Sequence, residues 1–192
     1  MIPINYYGFR IRDIISRVLP GFIFSFYCLH LLSPQSELTS ILSNTGDVVL
    51  LTVIAYPLGL TTEYLALAFR QLFFGKCNCL SENKLIKEYL DTDQNGFWFK
   101  YIYILSYSEP NVSAIIEQYN LTRFFFLNMT FVSMVVFIIN LIVTRSISTL
   151  VSCVALLLAV VFFYCHINSN KGFYKIVGFA QKVLDSTPQK ND

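Results

Sequence analysis

The chain has 192 residues, of which 55% are hydrophobic and only 14% charged, and its formal net charge is +2. A soluble domain carries about 25% charged residues, so an ordinary water-soluble core is excluded, and the apolar content also excludes a disordered chain or a collagen-like fibre. Five cysteines without regular spacing exclude a disulfide scaffold. What remains is an all-α, polytopic membrane protein.

Taken in chain order, the first stretch, 5–18, mixes Tyr6, Tyr7 and Phe9 with Arg10, Arg12 and Arg17, and Asp13 sits four residues before Arg17 on one helical face. It is expected to lie in the headgroup region before Pro20-Gly21 turns the chain into the bilayer. A crossing needs about 20 apolar residues, and four runs meet that need, which predicts transmembrane helices at about 14–32, 48–72, 124–143 and 147–164. Pro57 predicts a kink in the second. Only Thr144, Arg145 and Ser146 separate the third from the fourth, so those two are expected to be antiparallel neighbours.

Between the second and third spans the pattern predicts a helix near 81–90, a turn over 91–96, an aromatic run from Phe97 to Tyr103, and a helix from Pro110 that continues into the third span. Acids and bases balance there, which argues against a groove for single-stranded nucleic acid and for an interfacial belt or a small cytoplasmic core. After the fourth span, Phe173, Ile176, Val177, Ala180, Val183 and Leu184 follow helical spacing, with Lys171, Lys175 and Lys182 on another face. Two readings stay open: an amphipathic tail contacting an anionic inner leaflet through those lysines, or a helix packing its apolar face on the protein's own cytoplasmic region. The organisation expected is therefore 1–72, 73–123, 124–164 and 165–192.

Basic residues are retained on the cytoplasmic side of a membrane. Every Lys and Arg except Arg145 falls before the first span or in its first turn, in the last turn of the second or between the second and third, or after the fourth. This predicts an inner-membrane protein with both termini and the central region cytoplasmic, and the first span is read as a retained anchor rather than a cleaved signal. The glycosylation-type matches at Asn111, Asn120 and Asn128 then become chance matches. Cys77 and Cys79 are cytoplasmic, and Cys28, Cys153 and Cys165 are small hydrophobes in spans.

An ionisable residue inside a span is costly and is usually paired or faces a water path, which singles out Glu63. Tyr56, Glu63 and Arg70 recur every seven residues and, with Gly59 and Ala66 nearby, mark one helix face. The expected arrangement is an ion pair of Glu63 with Arg17, Arg70 or Arg123; the alternative is a lining position in a water-filled path. His30 and His166 fall towards opposite faces, and neither has a metal-ligand partner at usable spacing. Asp91-Thr92-Asp93 has the form of a metal-bound sugar-nucleotide site, but it lies in a turn, where Asp is expected anyway. No phosphate-cradling loop, nucleophile elbow, zinc-protease motif or Arg-x4-6-His pair occurs. The expectation is a non-enzymatic protein with no catalytic residue, cofactor or metal.

Asp13-x3-Arg17-x2-Pro20-Gly21, Tyr56-x2-Gly59-x3-Glu63 and Tyr119-x3-Arg123-x4-Asn128 together resemble a group of small bacterial four-span membrane proteins that accompany anti-phage systems. The group includes the membrane accessory proteins of type VI-B CRISPR loci. One of its branches uses a nuclease-like Arg/His motif, which this chain lacks, so the resemblance is to the other. It implies a homo-oligomeric inner-membrane protein that modulates a nucleic-acid-targeting defence, by permeabilising the membrane or regulating a cytoplasmic protein partner, with no direct binding of nucleic acid. Two further classes stay open on the residues. A small oligomeric channel or transporter would use Tyr56 and Glu63, and a membrane anchor for a cytoplasmic complex would dock through the central region.

Overall fold

A computed structural model of the chain describes residues 11–32, 45–74, 82–145 and 149–186. Expectations about residues 5–10, Lys76, Cys77, Cys79, Lys190 and the loop after the first span lie outside the described residues, as do the side chains of Asp13 and His30. The described residues form six helices: α1 (Ile11–Leu32), α2 (Thr45–Phe74), α3 (Glu82–Leu90), α4 (Gln94–Tyr107), α5 (Pro110–Thr144) and α6 (Leu150–Ser186).

Three of them, α2, α5 and α6, are long and apolar enough to cross a membrane, not four. The difference is α1. As described it has 22 residues, and its first two turns carry Arg12, Asp13 and Arg17, charges that are costly within a bilayer. The separate interfacial stretch also disappears from Ile11 onward, because Pro20 and Gly21 sit inside α1 rather than at a turn. Pro57 likewise lies within the single helix α2. The predicted tail is no separate element: α6 runs through it for 37 residues, as α5 runs from Pro110 through the third span.

Helix ends follow local chemistry. Glu82 opens α3 and Lys87 closes it, each suited to the helix dipole at its end. Asp91, at φ 47°, turns the chain out of α3, and Lys100 Nζ donates to the Leu90 carbonyl at 2.8 Å. Asp93 caps α4 by accepting from the Gly96 N–H at 2.7 Å. Its side chain is thereby occupied, and no His, Cys, Asp or Glu group suited to a metal occurs among the described residues. Pro110 starts α5, where its missing N–H costs nothing. Arg145, at φ 53°, ends α5. Thr149 then caps α6 by accepting from the Ser152 N–H, while Asn140 Nδ2 donates to Thr149 Oγ1 at 2.7 Å and to Ser152 Oγ at 2.8 Å.

The chain divides into two compact units. Unit 1 comprises Met1–Ala68 and Phe124–Phe163; unit 2 comprises Phe69–Arg123 and Tyr164–Asp192. In unit 1, α1 and α2 meet backbone to backbone. A Cβ at Gly21 would overlap the Ala55 carbonyl, and one at Gly59 would overlap the Arg17 carbonyl. Contacts that ascend along α1 descend along α2, so the pair is antiparallel, with small residues at the crossing as close helix packing in lipid requires.

Unit 2 is built differently. Leu85, Ile86 and Leu90 of α3, Phe97, Tyr101 and Ile104 of α4, and Ile116 of α5 enclose Phe173, Tyr174, Val177 and Ala180 of α6. Each fully buried large side chain contributes about 1.5–3 kcal/mol by leaving water. The apolar face of the predicted tail is therefore core, as the second of its two readings has it, while Lys171, Lys175 and Lys182 are exposed.

Candidate functional site

Glu63 does pair with one of its three expected partners: its Oε2 accepts from Arg17 Nε at 3.2 Å within unit 1. That neutralises the carboxylate beside the glycine crossing, since Arg17 is also the residue whose carbonyl Gly59 approaches. Of the face marked by Tyr56, Glu63 and Arg70, the first two belong to unit 1, whereas Arg70 belongs to unit 2 and donates to Glu82. A cavity of about 290 Å³ in unit 1, between Ile23, Val136, Leu150, Val154 and Leu158, is apolar, and neither Tyr56 nor Glu63 lines it. Asn128, the last residue of the third resembling motif, is buried, with neither amide atom hydrogen-bonded.

The densest polar chemistry lies in unit 2. Arg70 Nη1 donates to Glu82 Oε1 at 2.8 Å, and Arg123 Nη1 lies 3.8 Å from the same oxygen. Arg123 is buried, yet its guanidinium is well provided for. Its Nε donates to Asn120 Oδ1 at 2.9 Å, and its Nη1 to Asn170 Oδ1 at 3.1 Å and to the Tyr174 hydroxyl at 3.4 Å. The flat face of the guanidinium stacks 4.0 Å from the centre of the Phe173 ring, the geometry in which an arginine gains cation–π attraction. His166 Nδ1 lies 2.9 Å from the Arg123 carbonyl. A carbonyl only accepts, so Nδ1 carries the proton.

Burial alone would push the Glu82 carboxyl up; the hydrogen bond and charge of Arg70, then the charges of Arg123 and His166, outweigh that and hold it below its ordinary range. A polar cavity of about 310 Å³ opens at this cluster, with Glu82, Gln94, Phe97, Trp98, Arg123 and Tyr174 in its wall. Helix α4 supplies two faces to the unit. Phe97, Tyr101 and Ile104 point into the core, whereas Phe99, Ile102, Tyr103 and Tyr107 are exposed, the two tyrosines stacking with ring centres 4.7 Å apart.

Sequence reasoning named Arg70 and Arg123 but assigned them to Glu63, and it missed Glu82, Asn170 and Tyr174. The available signal was the acid at the first position of α3, which reads equally well as a partner of the helix dipole. The search for relatives gave no match among protein-family models, curated proteins or solved structures.

Proposed function

We propose that the chain is a multi-pass membrane accessory protein, non-enzymatic and homo-oligomeric, that tethers a small helical unit and regulates a cytoplasmic protein partner through the exposed aromatic face of α4. The observation that carries this reading is the division of α4 into a buried face and a solvent-facing set of Phe99, Ile102, Tyr103 and Tyr107. Aromatic side chains offer large contact area at low entropic cost, which is why they concentrate at interfaces. The neutralising pair between Arg17 and Glu63 weighs against an isolated charge on a conducting path. The resemblance to accessory proteins of anti-phage systems supplies the setting: a nucleic-acid-targeting defence at a bacterial inner membrane, with the central region and the tail on the cytoplasmic side.

The test compares protection against phage and membrane potential in bacteria expressing wild type, Glu63→Gln, or Phe99→Asp with Tyr103→Asp. Loss of protection in the α4 variants, at unchanged membrane expression and with Glu63→Gln intact, is the expected result. The reverse order of sensitivity, with depolarisation that needs Glu63, would replace partner regulation by permeabilisation.

A further inference from the structure

The polar cavity of unit 2 belongs to none of the roles above, and its wall has a particular charge pattern. Glu82 and Arg123 stand side by side, 3.8 Å apart, with Arg70 behind the carboxylate. A simple cation entering there meets Arg123, and a simple anion meets Glu82, so a ligand bearing both charges is the one the wall complements. Both arginines face Glu82 Oε1, Arg70 at 2.8 Å and Arg123 at 3.8 Å. On the same wall, Phe97, Trp98 and Tyr174 supply aromatic surface, with Trp98 largely exposed at the rim, a lining that attracts ammonium groups. Gln94, exposed at the first position of α4, adds an amide donor on the side of a helix N-terminus, where phosphate is favoured. The volume falls at the lower end of the range for small-molecule sites, about 300–1,000 Å³.

We propose that this cavity binds a small zwitterion in which an ammonium and a phosphate are joined by a short linker, as in phosphoethanolamine, with the ammonium on the Glu82 carboxylate and Trp98 and the phosphate towards Arg123 and Gln94. The ligand chemistry has two sources, a free aminoalkyl phosphate and a phospholipid headgroup. The inference is independent of the docking role of α4, whose outward residues do not line the cavity.

Trp98 is the single tryptophan of the chain, so its fluorescence reports on the cavity directly. Full-length protein in detergent is titrated with phosphoethanolamine, inorganic phosphate and ethanolamine. In parallel it is reconstituted in nanodiscs of phosphatidylethanolamine or phosphatidylglycerol. A saturable change with phosphoethanolamine, at least ten-fold tighter than with either half alone, identifies a free ligand; a change confined to phosphatidylethanolamine discs identifies the headgroup. Gln94→Ala, at an exposed position, weakens the response several-fold, Glu82→Gln weakens it ten-fold or more, and Tyr107→Ala leaves it unchanged. Equal binding of phosphate alone, no response in either format, or insensitivity to both Gln94→Ala and Glu82→Gln would overturn the proposal.

Discussion

In unit 1, α1 and α2 meet backbone on backbone at Gly21 and Gly59; unit 2 has one such approach, of Gly178 to the Tyr89 carbonyl, and adds rings packed around the guanidinium of Arg123. The hydroxyls of unit 1 mostly bond back to their own helix, as Ser25 does to the Gly21 carbonyl and Thr130 to the Phe126 carbonyl. Polar groups of unit 2 instead bridge helices, from Arg70 and Arg123 to Glu82 and from Arg123 to Asn170 and Tyr174. The contrast follows from the solvent each kind of packing suits. Lipid tails are as apolar as leucine, so apolar contact alone does not drive helices together there, and close approach of small residues does. In water, expelling aromatic surface is the larger force.

Removing the hub of unit 2 gives the largest expected effect. Arg123→Ala leaves Asn170 and Tyr174 without this buried partner, at about 1–3 kcal/mol for each, and Glu82 with Arg70 alone, read as selective loss of protection from hydrogen exchange in α3 and α4. Breaking the other style of packing costs less: Gly59→Val forces α1 off α2 at about 1–3 kcal/mol, and engineered cysteine cross-links between the two helices should fail. Acid separates the units next. Because the Glu82 carboxyl is held below its ordinary 4.5, its contribution is complete above that pH and is lost as pH falls through the lower folded value. Unit 2 is therefore expected to open first on acidification, a step that Glu82→Gln removes. The smallest effect is a gain. Asn128→Leu relieves a buried amide with no partner and should stabilise unit 1 by about 1 kcal/mol, seen as a raised melting temperature in detergent.

Much of this comparison could be read from local sequence. Long apolar runs identify α2, α5 and α6, the first of them interrupted by Glu63 and Arg70, and the motif residues Arg17, Gly21, Gly59 and Glu63 turn out to meet at one crossing. Charge placement read α1 as a fourth crossing from its uncharged run after Arg17, whereas α1 is not among the three helices long and apolar enough to cross. The tail was ambiguous for a physical reason: Phe173, Val177 and Ala180 form the same stripe whether it faces lipid or a protein core. The cluster around Arg123 was least legible, since Arg70, Glu82, Arg123 and Tyr174 are brought together by folding over a hundred residues of chain, and no local spacing encodes it.

Unit 2 is drawn from two separated stretches of chain, and this has a consequence for biosynthesis. Phe97, Tyr101 and Ile104 leave the ribosome some seventy residues before Phe173, Tyr174 and Val177, which close over them. At ordinary elongation rates the delay is on the order of ten seconds. Throughout that interval the nascent chain carries an uncovered aromatic surface beside freshly inserted helices. A chain stopped short of Phe173 would keep that surface open for good, so the core of unit 2 closes only when α6 is complete.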